Sequence, residues 1–257
     1  MQAFFNGDFM PCTITFCQQA GKNKKRNQDA LFNGSQVFQS MLKKSEKLCE
    51  NRPLFILGIA DGVSCSNHSE KASKFVMNEL LSLSRLNRQT IFQLQENLSR
   101  ELSVGYYGSA TTLLAVEIDQ EKRTAKILSV GDSRVYLITV SGNWIQLTKD
   151  HSILNTFLNE EQKLEWIELA SIYNGITSFL VADNQPFQEQ IFYREINFQQ
   201  GESLLLCSDG FYQDLSVGIR EKIWATYSDD VERLTCCRKM IKKKPFYDDL
   251  SIILCSF

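Results

Sequence analysis

The sequence predicts an α+β fold with antiparallel sheets. Two observations carry the prediction. Strand-like runs occur in clusters with helical patterns between them, and the regular alternation of strand and helix that marks a parallel sheet is absent. A third observation, the lack of any linker rich in Pro, Gly or Ser and of any internal repeat, predicts a single domain over residues 1–257.

The elements follow in order. CTITFCQQ sets Ile14 and Phe16 against Thr13 and Thr15, the alternation of a half-buried strand. After the basic turn GKNKKRN, QDALFN reads as a second strand. Residues 35–53 are polar and read as a hairpin loop or a short helix. LFILGIAD, 54–61, is apolar almost throughout, as a central strand is. From Ser69 the period changes: Ala72, Phe75, Val76, Leu80 and Leu83 recur at helical spacing, and Ile91, Leu94 and Leu98 mark a second helix over about 89–102. Strands are expected at 109–118, 124–131 and 134–140, then a Gly142-Asn143 turn before WIQLT. EEQKLEWIELASIY reads as helix, IFYREINF and ESLLLCSD as strands, 217–243 as a helix pair, and LSIILCSF as the last strand.

The 257 residues are 43% AVILMFWYC, enough for a sizeable core. The net charge of −2 and pI of 5.8 disfavour nucleic acid as a partner. No apolar run reaches spanning length, and the N-terminus lacks a signal-peptide pattern, so a cytoplasmic protein without membrane association is expected. Most of the eight cysteines are scattered through apolar runs, among them Cys12, Cys17, Cys207 and Cys255, and read as buried thiols. With only His68 and His151 and no CxxC, zinc is disfavoured.

Four aspartates stand at the ends of apolar runs: Asp61 after LFILGIA, Asp132 after ILSVG, Asp209 after LLLCS, and Asp248 before LSIILCSF. Carboxylates held there are rigid and poorly solvated, and several converging need positive charge between them. Hard divalent cations suit such oxygen ligands. Taken singly, Asp61-Gly62 and Asp209-Gly210 could each be a hairpin turn. The preceding strands and following helical patterns favour ligand sites. Lys22, Lys24, Lys25 and Arg26 precede Asn27-Gln28-Asp29, either as a solvated charged turn or as a grip for a phosphate oxyanion.

An ordered set of motifs resembles the protein phosphatase 2C family of metal-dependent serine/threonine phosphatases in its bacterial form. The motifs are KNKKRNQDA (22–30), IADG (59–62), EKAS (70–73), GSATTLLAV (108–116), LSVGDSRVYLI (128–138), QLTKDHS (146–152), LLLCSDGFYQDLS (204–216) and DDLSIILC (248–255). The resemblance implies a sandwich of two antiparallel β-sheets flanked by α-helices, with Mn²⁺ or Mg²⁺ at one edge: two ions and a position for a third. By motif position Asp61 bridges two cations and the Gly62 carbonyl completes one site. Asp209 and Asp248 bind the other, Asp132 matches the third, and Asp29 acts through waters.

The chain departs from the family pattern in three places. Lys24 stands at the phosphate-gripping arginine's position; register favours it, but guanidinium geometry makes Arg26, two residues on in a turn that can bring it inward, the expected grip. Val63, Ser64 and Cys65 replace the usual glycine-rich run, and Ser66 replaces a common histidine, leaving His68 as the nearby candidate proton donor. His151 reads as structural.

The expected activity is hydrolysis of phosphoserine and phosphothreonine by a monomer through a metal-activated water. The expected partners are phosphorylated proteins, a serine/threonine kinase or its targets. The departures motivate a second reading, a catalytically weakened phosphoprotein-binding module. A nuclease would share the metal chemistry, but the acidic pI opposes it. A cysteine phosphatase built on Cys65 lacks that class's CxxxxxR loop. The segment from Asp150 to Asn184, with Trp166, is expected to form a flap that docks the substrate protein.

Overall fold

The computed structural model describes residues 11–40, 42, 44–153 and 175–257. Fourteen strands are formed among them, twelve in two six-stranded sheets. The first sheet has the order β10 (Trp144–Gln146), β9 (Arg134–Ile138), β13 (Ser203–Cys207), β14 (Leu250–Ser256), β1 (Cys12–Gln19) and β4 (Glu46–Glu50). The second runs β12 (Phe192–Asn197), β8 (Thr124–Val130), β7 (Leu113–Asp119), β5 (Leu54–Ala60), β2 (Ala30–Phe32) and β3 (Val37–Phe38). All pairings are antiparallel. A two-residue pair, β6 (Ala110–Thr111) with β11 (Leu180–Val181), stands apart.

The apolar runs are continuous because central strands are covered on both faces. Along β13, Leu204 and Leu206 face the other sheet, while Leu205 and Cys207 face helices. Along β14, Ile253 and Cys255 point inward, and Ile252 and Leu254 outward. Helices α1 (Ser69–Glu79) and α2 (Arg88–Tyr106) cover the second sheet through Ala72, Val76, Ile91, Leu94 and Leu98. Helices α4 (Val217–Thr226) and α5 (Asp230–Lys242) cover the first through Ile223, Trp224, Leu234, Cys237 and Ile241. A one-turn helix, α3 (Asp209–Tyr212), follows β13 directly. The expected two-sheet sandwich flanked by helices is the observed fold.

Local chemistry sets the helix starts. Asn87 and Thr90 form a reciprocal capping box at α2, and Asp229 accepts from the Glu232 N–H at α5.

Three expectations need correction. β1 is buried on both faces rather than half-buried, because β14 and β4 flank it and α5 packs over it; even Thr15 is fully buried. Residues 35–53 contain β3 and β4 rather than a loop or short helix, their pairing with β2 and β1 overriding a polar sequence. The strand expected at 109–118 breaks at Thr112, which pairs with the Asp61 backbone. The helix expected across EEQKLEWIELASIY lies outside the described residues.

Candidate active site

Strand pairing gathers the predicted aspartates at one edge of the sandwich. Ala30 pairs with Ala60, so Asp29 and Asp61 stand at the same end of the second sheet. Cys207 pairs with Ile252 and Arg134, so Asp209, Asp248 and Asp132 stand at the same end of the first. Asp132 lies where the chain crosses from β8 in one sheet to β9 in the other. A cleft of ≈ 430 Å³ opens here, with Asp61, Gly62, Asp132, Asp209 and Asp248 among its walls. Val63, Ser64 and Cys65 form its rim on one side, and Ile176 and Phe179 also line it.

Hydrogen bonds to backbone and side chain fix these aspartates. The Asp61 N–H donates to Thr112 Oγ1 (2.9 Å), and its carbonyl accepts from the Thr112 N–H (2.8 Å) and Thr111 Oγ1 (2.9 Å). Gln213 Nε2 donates to Asp209 Oδ2 (3.0 Å), and the Tyr212 hydroxyl donates to Asp132 Oδ2 (3.1 Å). Neither Asp-Gly pair makes a hairpin. Gly62 bridges to Thr111, and Gly210 opens α3. A Cβ on Gly210 would lie 2.1 Å from the Asp249 carbonyl oxygen, so only glycine lets α3 approach the start of β14.

The electrostatics call for a cation. Burial, then the charges of Asp29, Asp209, Asp132 and Asp248, push the Asp61 carboxyl well above the carboxylate range. Asp209 is pushed up to about 8 by burial and then by Asp132, Asp248 and Asp29. Asp132 is also raised, by burial and then Asp150. Asp29, fully buried behind the cleft, is pushed up to about 7 by burial and then Asp249. Its Oδ2 accepts from Ser208 Oγ (2.8 Å), while its Oδ1 has no hydrogen-bond partner among the described residues. These donors are all hard oxygens, which fits Mg²⁺ or Mn²⁺. Among the described residues, no three acidic, His or Cys side chains close into a ready-made ligand shell. The site is an open acidic cleft, suited to ions that keep much of their water.

The candidate phosphate grips differ in placement. Lys24 Nζ donates to Asp248 Oδ1, to Asp249 Oδ2 (2.9 Å) and to Gln28 Oε1 (2.9 Å). Burial works against its charge, but Asp248 and Asp249 more than offset this and raise its pKa. Arg26 has a 70% exposed side chain paired with Glu70 at 3.0 Å. Lys24 thus touches a cleft carboxylate, and Arg26 faces solvent. His68 begins α1 in a left-handed conformation (φ 58°), 53% exposed, packed against Tyr106 and outside the cleft lining. His151 is buried, and its Nδ1 accepts from the Gly131 N–H (3.1 Å); burial lowers its pKa, which keeps this acceptor available. Trp166 lies outside the described residues.

Sequence reasoning missed Asp249, Tyr212 and Gln213. Asp249 accepts from the Gly21 N–H (2.6 Å), the Gln28 N–H (2.9 Å) and Lys24, tying the basic turn to β14. The doubled aspartate before an apolar run was its only signal.

The fold is shared with solved bacterial serine/threonine phosphatases. Stp1 from Staphylococcus aureus superposes with a TM-score of 0.72 at 21% identity, over 95% of this chain and 94% of that one. The Mycobacterium tuberculosis phosphatase PstP/Ppp gives 0.72 at 17% identity, over 96% and 99%. The catalytic domain of PstP in complex with two manganese ions gives 0.70 at 17% identity, over 96% and 99%. No curated protein matches the chain in a sequence comparison. The family model for protein phosphatase 2C matches residues 21–239, and the chain belongs to that family of phosphoprotein phosphatases.

Proposed function

We propose that residues 1–257 form one catalytic domain that hydrolyses phosphoserine and phosphothreonine in proteins with divalent metal. The convergence of Asp61, Asp132, Asp209 and Asp248 on one cleft carries this reading. The relative solved with two manganese ions supports the choice of Mn²⁺ or Mg²⁺. Asp61, the Gly62 carbonyl, Asp209 and Asp248 would hold two ions, Asp132 a third, and Asp29 would act through ordered water. When bound, the metals supply an activated water and neutralise phosphoryl charge. Thr111 and Thr112 keep Asp61 aimed into the cleft, and Gln213 orients Asp209. Lys24 is the better placed phosphate grip, since its ammonium already reaches Asp248 in the cleft wall whereas Arg26 pairs with Glu70 in solvent. His68, at the start of α1 and outside the cleft lining, is the proposed proton donor, which requires the leaving oxygen to face that end of the helix. The segment Asp150 to Asn184, with Trp166, is proposed to dock the substrate protein, and a cytoplasmic monomer completes the reading.

One observation favours the second reading, a weakened phosphoprotein-binding module. No cationic side chain is among the described residues lining the cleft, and Lys24 and Arg26 both have acidic partners. Turnover of p-nitrophenyl phosphate and of phosphoserine and phosphothreonine peptides, with Mn²⁺ and with EDTA, decides. Mn²⁺-dependent release of phosphate supports the enzyme. Peptide binding without turnover supports the module.

A further inference from the structure

We propose that a basic surface beside the cleft, formed by residues 22–26 and 239–246, docks acidic residues flanking the phosphorylated serine or threonine of the substrate. The inference rests on the phosphatase reading of the cleft. The two segments are more than 200 residues apart in sequence, and the first meets the residues that directly follow the second: the Lys22 N–H donates to the Tyr247 carbonyl (3.0 Å), and Lys24 reaches Asp248 and Asp249. Lys22, Lys25, Lys239, Lys242 and Lys243 are all exposed. None forms an ion pair with a described residue, whereas Lys24, Arg26 and Lys244 have acidic partners. Phe246, at 80% exposure, stands among them as an apolar contact.

This concentration of positive charge runs against a chain of net charge −2. Lys243 is five residues before Asp248, a cleft residue, so it lies within about 17 Å of it at an extended rise of about 3.3 Å per residue. A peptide whose phosphate sits in the cleft therefore reaches these lysines with side chains within about five positions of the phosphoresidue. An acidic segment is the fitting occupant. The cleft's own carboxylates repel an anionic protein, and the lysines beside it offset that repulsion and steer the approach.

The test compares two phosphothreonine peptides of equal length, flanked by glutamates or by glutamines, with p-nitrophenyl phosphate as a small substrate. The Lys242→Glu/Lys243→Glu variant is run beside the parent chain, with melting curves to confirm folding. The parent should favour the glutamate peptide in kcat/KM by about tenfold at low salt, less at high salt. The variant should bring the two peptides within about twofold and leave p-nitrophenyl phosphate turnover unchanged. Equal turnover of the peptides by the parent, or a preference that survives charge reversal, overturns the inference. So does loss of binding to equimolar phosphatidylserine–phosphatidylcholine vesicles on charge reversal when the peptides are treated alike, which assigns the surface to lipid. If no substrate is hydrolysed, the phosphatase reading has failed on its own, and anisotropy of the labelled glutamate peptide decides the surface: weaker binding by the variant supports docking, and equal binding overturns it.

Discussion

The Tyr212 hydroxyl donates to Asp132 Oδ2 at 3.1 Å, joining α3 of one sheet's edge to the crossing between the sheets. Arg134 lies 3.5 Å over the Tyr212 ring and is itself held by Asp150 through its Nε and Nη2. The chain Asp150–Arg134–Tyr212 therefore fixes the orientation of one carboxylate in the cleft. Tyr212→Phe keeps the ring under the guanidinium and removes only the donor. Its expected effect is a roughly tenfold rise in the Mn²⁺ concentration for half-maximal activity and a matching loss of Mn²⁺-induced thermal stabilisation. An unchanged metal midpoint would show that the hydrogen bond does not position Asp132.

Lys24→Ala and Arg26→Ala separate the two phosphate-grip candidates. Lys24 is the main cationic partner of buried Asp249, so its removal should cost about 2 kcal/mol, a fall of about 6 °C in Tm for a chain of this size. It should also raise KM or lower kcat. Arg26→Ala deletes an exposed pair and should leave Tm within about 1 °C of the parent. Equal losses from both variants would remove the distinction drawn from their placement.

Asp61→Asn and Asp209→Asn should each reduce Mn²⁺-dependent turnover to below about one hundredth of the parent. With EDTA present, both should melt at a higher temperature near pH 8, because each removes a charge from a cluster of mutually repelling carboxylates. Retained activity in either purified variant would contradict the assignment of these ligands.

The same cluster sets a pH dependence. Asp29 and Asp209, at about 7 and 8 in the fold, lie above the ordinary aspartate value of about 3.9. The fold therefore holds protons that the unfolded chain releases. The stability they contribute is full below about pH 4 and is lost as pH rises towards about 8. In EDTA, Tm should fall between pH 5 and pH 8.5, and saturating Mn²⁺ should flatten that fall. A Tm in EDTA that rises across the same range would reverse the sign of the argument.

The thiols divide by burial. Cys49 and Cys65 are exposed, whereas burial pushes Cys17 and Cys207 up to about 12 and raises Cys237 and Cys255. Alkylation of the native protein followed by peptide mass analysis should modify Cys49 and Cys65 first. Cys65 lines the cleft, so Mn²⁺ with phosphate should slow its modification while leaving that of Cys49 unchanged. Equal protection of both would separate the effect from occupancy of the cleft.

Much of the architecture was legible in the sequence because burial imposes a pattern on it. Runs such as LFILGIA and SLLLC can be continuous only if both faces are covered, and the helical period from Ser69 marks one of the covers. The aspartates at the ends of those runs were legible as a candidate cation site for the same reason, and the motif order named the family. Weakly patterned elements escaped: β4, EKLCE, is a strand only because β1 offers it an edge. Which charge meets which was decided by tertiary structure alone. Motif register singles out Lys24 and Asp248, but no local pattern says which of Lys24 and Arg26 meets which aspartate. Packing of the basic turn against the start of β14 puts Lys24 among aspartates, leaves Arg26 in solvent beside Glu70, and brings two lysine-rich segments more than 200 residues apart onto one surface. Sequence fixes the chemistry of a side chain, but its neighbours across sheets depend on long-range pairing that no local pattern encodes.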